Sequence, residues 1–166
     1  MKALFAILAI VSFLQAEPLE WRNLNFKQKL AYLTIKNIAR TYDDERLPQT
    51  MIAIAWQESR LGLVPINLAD PSCGIFHITA KTYLYQNGIK DTLHNRNVAC
   101  AMLIESVELS THNAIKYFLA MKKHFKGDHE KAIKAYNAGY RINSKAANEY
   151  LRLIKKYERQ EKGYYR

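Results

Sequence analysis

Apolar residues recur at helical spacing along most of this chain. The stripes that follow a period of about 3.6 residues are Ala31, Ile35, Ile38 and Tyr42; Cys100, Leu103, Ile104 and Val107; Ile115, Phe118 and Leu119; and Ala147, Tyr150, Leu151, Ile154 and Tyr157. No alternating strand pattern of any length is present, although "GIFHIT" suits a short extended hairpin or loop. The pattern therefore predicts a mainly α-helical chain that forms a single domain.

Residues suited to helix ends divide this pattern into separate helices. Thr79, Asp128 and Ser144 are placed to cap three of them, and Gly88 and Gly139 are placed to stop two. The tail "KKYERQEKGYYR" is highly charged, so we expect a solvated and frayed helix end there.

The first residues resemble a secretory signal peptide. "MKALFAILAIVSFLQAE" has one Lys, an apolar run too short to cross a bilayer comfortably, and Ala16 before Glu17. We therefore expect residues 1–16 to be removed and residues 17–166 to form the exported domain, with no stable membrane span. Leu14 stands where a small residue is preferred, so an uncleaved N-terminal anchor is the alternative.

The net positive charge of the chain indicates which classes of partner it attracts. The sequence has 25 Lys and Arg against 15 Asp and Glu, a formal net charge of +10, and loss of residues 1–16 with Lys2 leaves +9. Basic surfaces attract polyanions of every kind, including nucleic acid, anionic lipid and the cell wall. Export argues against nucleic acid, and the dispersed tyrosines form no nucleic-acid motif.

Two cysteines, Cys73 and Cys100, remain in a chain expected to reach an oxidising compartment. A disulfide is favoured there over two buried thiols, which are the alternative. On the chain-entropy model such a bond stabilises the fold by roughly 3 to 4 kcal/mol.

A carboxylate ends one apolar stripe. In "LPQTMIAIAWQES", which Pro48 can begin, Met51, Ile54, Ala55 and Glu58 share one helix face. A carboxyl group that loses hydration favours its neutral form, as a general acid for a glycosidic oxygen must. On helix position alone, an ordinary ion pair with the nearby Arg60 is the favoured interpretation.

Three motifs that follow one another along the chain favour the general-acid interpretation of Glu58 over the ion pair. "ES" at Glu58 and Ser59, "SCGIFHIT" at residues 72–79 and "AYNAG" at residues 135–139 resemble the catalytic domain of lytic transglycosylases related to goose-type lysozyme. In that family a Glu-Ser pair on a helix precedes a "GLMQ"-like loop and an "AYNAG"-like helix end. The similarity spans about residues 45–140. It implies a single lysozyme-like helical domain with the hairpin or loop near its active site.

The resemblance also implies roles for individual residues. Glu58 is implied to be the single acid and base, and the residues implied to bind the substrate or shape its groove are Ser59, Gly74, Ile75, Phe76, His77, Tyr136 and Asn137. Tyr136 is implied to place its hydroxyl near Glu58.

One histidine position differs from the family pattern. His77 stands where the family usually has Gln, and an imidazole replaces one amide contact and can acquire charge. The histidines with no metal-site spacing, for which we expect surface positions, are His94, His112, His124 and His129. No metal or other cofactor is expected.

The implied reaction is cleavage of the β-1,4 bond between N-acetylmuramic acid and N-acetylglucosamine in peptidoglycan, with formation of 1,6-anhydromuramoyl ends. Asp70 is the nearest second acid, but "LADPS" is typical of a turn. A lysozyme-type muramidase and an inactive peptidoglycan-binding assembly protein are the alternatives. The expected location is the periplasm or another part of the envelope. General wall turnover and local opening for an envelope-spanning secretion or motility complex both stay open.

Overall fold

Helices make up most of the described chain. The computed structural model describes residues 19–68 and 71–162, so the predicted signal peptide lies outside the described residues. The helices in these residues are α1 (Phe26–Ala39), α2 (Leu47–Ser59), α3 (Ala80–Gln86), α4 (Leu93–Glu105), α5 (Val107–His124), α6 (His129–Ala138) and α7 (Lys145–Lys162), with a 3-10 turn at Trp21–Asn23. They share one core, which confirms the predicted mainly α single domain. Within the described residues, no helix combines the length and apolar composition needed to cross a bilayer.

Helix α2 is the centre of the fold and is buried on all sides. The predicted stripe is buried, but Ile52 and Ala53, which lie off it, are as fully buried as Met51 and Ile54. The reason is that α1 and α7 both pack against α2. The last turn of α2 reaches the surface at the cleft described below, and it carries Glu58.

The predicted helix caps are confirmed. Side-chain oxygens of the capping residues accept backbone N–H groups in three pairs, Thr79 with Thr82, Asp128 with Lys131, and Ser144 with Ala147. Each of these bonds joins residues three apart, so a short stretch of sequence suffices to specify it.

Two stripes extend past the helices that carry them. Ser106 interrupts the helix between Cys100 and Val107, and its Oγ accepts the N–H of Leu109 to cap α5. Tyr42 likewise follows the end of α1, although it packs against the core. Apolar periodicity alone did not reveal either boundary.

A three-stranded antiparallel sheet lies beside the helices. Its strands are β1 (Ile66–Asn67), β2 (Ser72–Cys73) and β3 (Ile78–Thr79), in the order β1-β2-β3, with Cys73 opposite both Ile66 and Ile78. Strands β2 and β3 form the predicted hairpin, whereas β1 is too short to show a pattern. The predicted turn at Asp70 lies outside the described residues. The predicted disulfide is present and ties β2 to α4, with the Cα atoms of Cys73 and Cys100 5.3 Å apart.

The expectation of a frayed C-terminal helix is wrong for the described part of the tail. Tyr157 is 0% exposed and Glu161 is 1% exposed. The Glu161 carboxylate accepts hydrogen bonds from Lys36 Nζ at 2.9 Å and from the Tyr32 hydroxyl at 2.6 Å. A buried acid is tolerated when it is paired and hydrogen bonded, so the charged tail docks onto α1. Residues 163–166 lie outside the described residues.

The expected surface position of His129 is also wrong, since its residue is 6% exposed. The Thr50 hydroxyl donates to Glu158 at 2.6 Å, so it must accept from His129 Nε2, which lies 2.9 Å away. Nδ1 is buried and has no hydrogen-bond partner in the described part of the chain. Burial, reinforced by the positive charges of Arg46 and Lys122, therefore lowers the pKa of His129 to about 4.

This buried imidazole predicts a loss of stability in acid. The unfolded chain binds a proton at His129 near pH 6.5, whereas the folded chain binds it near pH 4. Between those values folding must exclude a proton, which costs about 2 kcal/mol by about pH 4.5. The amide of the His129→Gln variant still donates to Thr50. Between about pH 7.5 and about pH 4.5, we expect the free energy of unfolding to fall less in this variant than in the wild type, and the difference to equal the cost just given.

Urea unfolding at the two pH values measures this difference. The matched control is His94→Gln, because His94 is exposed and should leave the pH dependence unchanged. Parallel pH dependence in the wild type and in His129→Gln would contradict the prediction.

Candidate active site

The carboxyl group of Glu58 lies in a cleft at the end of α2. The cleft has a volume of about 230 Å³, below the range of about 300 to 1,000 Å³ of pockets that enclose small molecules. Its other lining residues are Asn67, Ser72, His77, Ile78, Thr79, Thr82, Tyr117, Tyr136, Asn137 and Gly139. Arg60, the ion-pair partner considered from sequence, instead lies over the Trp56 ring at 5.1 Å and donates to the Trp56 carbonyl.

Tyr150 contacts the Glu58 carboxyl group although it lies outside the three motifs. Its hydroxyl donates to Glu58 Oε1 at 2.5 Å, from a position on α7 92 residues further along the chain. Burial, together with the negative charge of Glu58, raises the pKa of Tyr150, so the phenol stays protonated and remains a donor. The sequence placed Tyr150 on the apolar stripe of α7. The one signal in the sequence that Tyr150 has a polar partner is its hydroxyl group, because a buried tyrosine hydroxyl usually makes a hydrogen bond.

His77 contacts the other oxygen of Glu58. Its Nδ1 lies 3.5 Å from Oε2, and the two side chains are 8% and 17% exposed. Its Nε2 lies 2.7 Å from the Val64 carbonyl oxygen. Burial lowers the pKa of His77, but the Glu58 carboxylate and the Val64 carbonyl raise it by more, so the pKa lies above 6.5.

Tyr136 borders the same cleft through a different bond. Its hydroxyl donates to the Phe76 carbonyl at 3.1 Å, and its ring packs edge-on against Tyr117 with centroids 5.5 Å apart. It lies close enough to Glu58 that burial and this carboxylate together raise its pKa. The resemblance implies a Tyr136 hydroxyl near Glu58, and the phenol that donates directly to the Glu58 carboxyl group is that of Tyr150. Asn137 lines the cleft with an exposed side chain.

Ser59 is buried and joins α2 to the following loop. Its hydroxyl donates to the Ile75 carbonyl at 2.6 Å and accepts the N–H of Gly62 at 2.8 Å. The residue is 1% exposed, so its hydroxyl does not face the cleft. The local sequence Glu58-Ser59 thus places one side chain in the cleft and uses the next to hold the cleft wall.

The "GIFH" loop at residues 74–77 packs its first three residues into the interior. Ile75 is 4% exposed and Phe76 is 0% exposed. Gly74 has φ +78°, and a Cβ there would lie 2.4 Å from the Leu103 carbonyl oxygen and 2.6 Å from Ser110 Oγ. These residues support the cleft from beneath, and the histidine that follows them is the first loop residue to face it.

Polar groups from several elements complete the cleft. Asn67 comes from β1, Ser72 from β2, Thr82 from α3 and Tyr117 from α5, and of these only Ser72 lies within one of the three motifs. Hydroxyl and amide groups both donate and accept hydrogen bonds, which suits a carbohydrate. Among the described residues, no group of three or more His, Cys, Asp or Glu side chains is arranged to hold a metal ion.

Comparison with known proteins gives one family match. The transglycosylase SLT domain matches residues 36–158, a segment that contains Glu58, the "GIFH" loop, Tyr136 and Tyr150. No curated protein and no solved structure matches the chain. Because the family match covers most of the sequence, including Glu58, His77 and Tyr150, the chain belongs to the transglycosylase SLT domain family.

Proposed function

We propose that this protein is a peptidoglycan lytic transglycosylase that cleaves the β-1,4 bond between N-acetylmuramic acid and N-acetylglucosamine and leaves 1,6-anhydromuramoyl ends. Family membership supports transglycosylase-type action on peptidoglycan in general. The observation that supports the specific reaction is the position of the Glu58 carboxyl group in the cleft, where it is the one acid among the described lining residues. Hydrolysis by a glycosidase usually needs two carboxyl groups.

In this proposal Glu58 acts first as an acid and then as a base. It protonates the leaving oxygen while the bond to the muramoyl anomeric carbon breaks, and the substrate's N-acetyl group meets the charge on that carbon. Its carboxylate then takes the proton of the C6 hydroxyl, whose oxygen closes the anhydro ring. The proton passes from one substrate oxygen to the other, and no water is consumed. The hydroxyl of Tyr150 donates to the carboxyl group and so orients it.

The predicted binding residues divide into two groups by burial. Asn137 is exposed in the cleft, so we assign its amide to the glycan, together with the cleft faces of His77 and Tyr136. The buried residues that hold the loop in place for them are Ser59, Gly74, Ile75 and Phe76. The disulfide ties the same loop to α4, which positions the wall before the substrate binds.

The proposed setting is the cell envelope. A disulfide and the signal-like residues 1–16 suit an exported protein, and a formal charge of +10 suits an acidic polymer. The partner we propose is the glycan strand of peptidoglycan, opened locally for an envelope-spanning secretion or motility complex.

Muropeptide mass spectrometry tests the reaction. We expect purified sacculi to release fragments with anhydro ends, which are lighter than reducing ends by one water. Asp70→Asn, which changes the nearest acid in the sequence, should lower the rate by less than about threefold. Sacculi digested by a hydrolytic muramidase provide the reference for reducing ends.

The alternatives give different products in the same experiment. Reducing ends together with loss of activity in Asp70→Asn would identify a lysozyme-type hydrolase. Binding to sacculi with no released fragment from the wild type would identify an inactive assembly protein.

A further inference from the structure

The hydrogen bonds around His77 determine how many protons it shares with Glu58. Nε2 lies 2.7 Å from the Val64 carbonyl oxygen, and a carbonyl oxygen only accepts hydrogen bonds. Nε2 therefore carries hydrogen, which assigns the tautomer from its partner. In the neutral ring, Nδ1 is then left with a lone pair that points at Glu58.

A proton is needed between the two side chains. Nδ1 lies 3.5 Å from Oε2, which is longer than the about 3 Å of an ordinary hydrogen bond but within ion-pair distance. With a neutral imidazole and an ionised carboxylate, two lone pairs would face each other at this distance. One proton removes the conflict, either as an imidazolium beside a carboxylate or as an imidazole beside a carboxylic acid. The other carboxyl oxygen, Oε1, already accepts from Tyr150.

No other charge competes for this proton among the described residues that line the cleft. The titratable groups that face the pair are the phenols of Tyr117 on α5, Tyr136 on α6 and Tyr150 on α7. Burial raises the pKa of all three above the ordinary value of a phenol, so these hydroxyls stay protonated and uncharged at neutral pH. The neighbouring β1 and α3 contribute amide and hydroxyl groups, which do not titrate.

We propose that His77 is a positioning residue that shares one proton with Glu58 and holds it between the two side chains in the cleft. The inference rests on the proposed function, because that proton is the one Glu58 gives to the glycosidic oxygen. Once it has left, the lone pairs of Nδ1 and Oε2 face each other again, which favours recovery of a proton from the C6 hydroxyl. A glutamine at this position would bind no proton.

The pH dependence of activity tests the shared proton. Loss of this proton ends activity as the pH rises, so the alkaline limb of kcat/KM should lie about one pH unit or more lower in His77→Gln than in the wild type. On the acidic side of the profile the two rates should agree within about tenfold. His112→Gln, a surface substitution beside Tyr42, is the matched control and should leave the profile unchanged. An unshifted limb with a uniformly lower rate would assign His77 to substrate binding alone.

A second variant guards against misfolding. His77 has φ +45°, in the left-handed region, where His and Asn are better tolerated than most residues. His77→Asn keeps that tolerance and also binds no proton, so it should reproduce the shift of the alkaline limb. A wild-type profile in a folded His77→Asn protein would overturn the proposal.

The pair can also be tested without activity. We expect the His77 imidazole, followed by NMR, to titrate about one pH unit or more lower in Glu58→Gln than in the wild type, because the amide removes the charge that holds the proton. The stabilisation that the proton brings is complete below pH 6.5 and is lost as the pH rises through the higher pKa of the folded state. Identical His77 titration in both proteins would overturn the shared proton. A shifted titration in a protein with no transglycosylase products would reject the proposed function and keep the pair.

Discussion

Glu58→Gln is expected to lower glycan cleavage by roughly a thousandfold or more while the protein remains folded. Glutamine keeps the shape of the side chain and still accepts the hydrogen bond from Tyr150, but it supplies no proton and cannot act as a base. Glu58 is the one acid among the described cleft residues, so no neighbour there can replace it. Clearance of purified sacculi measures the rate, and circular dichroism with thermal unfolding measures the fold.

The matched control for this change is Glu105→Gln. Glu105 is exposed at the end of α4 and does not line the cleft, so its substitution makes the same chemical change away from the site. We expect it to leave the rate and the melting temperature nearly unchanged. Substantial sacculus clearance by a folded Glu58→Gln protein would remove Glu58 from the mechanism.

Gly74→Ala is expected to lower the free energy of unfolding by about 3 kcal/mol or more. The left-handed backbone at φ +78° costs an alanine about 1 to 2 kcal/mol. The larger cost is steric, because the new Cβ would lie 2.4 Å from the Leu103 carbonyl oxygen and 2.6 Å from Ser110 Oγ. The carbonyl belongs to the backbone of α4, which cannot yield without moving a helix that the disulfide ties to the same loop.

Gly88→Ala separates the two costs. Gly88 has φ +65° and no heavy atom within 4 Å of a Cβ, so this variant should lose only about 1 to 2 kcal/mol. Urea unfolding of both variants gives the steric contribution as the difference between them. Equal losses in the two variants would show that the close packing of the loop on α4 does not contribute to stability. Folded Gly74→Ala should also cleave more slowly, because His77 lies three residues beyond the altered position.

Local sequence was enough to predict the apolar faces of the helices and three of their caps, but not the break at Ser106. The bonds of Thr79, Asp128 and Ser144 each span three residues, so a short stretch of sequence contains both partners. The hairpin at "GIFHIT" and the Cys73–Cys100 disulfide were also predicted correctly, the first from composition and the second from compartment. The resemblance located Glu58, His77, Tyr136 and Asn137, and the structure places these four residues around one cleft.

The helical spacing of the apolar residues showed which positions are buried, but it did not show which residues they pack against. Tyr150 and Tyr157 occupy the same stripe of α7, yet the Tyr150 hydroxyl reaches Glu58 whereas Tyr157 is wholly buried in the core. Similarly, α2 shows a one-sided stripe but is covered by α1 and α7 on two sides. Periodicity reports which positions avoid water, and the partner depends on how distant helices are arranged.

The sequence by itself determined the family, the helices and the acid at the centre of the cleft. Only the tertiary structure decided that Tyr150 orients this acid, that His129 is buried, and that Glu161 docks the charged tail against Lys36. In each case the partner lies far away in the chain, at Glu58, Thr50 or Lys36. A polar group enters the interior when a specific partner offsets its lost hydration, and that partner is known only when the chain has folded.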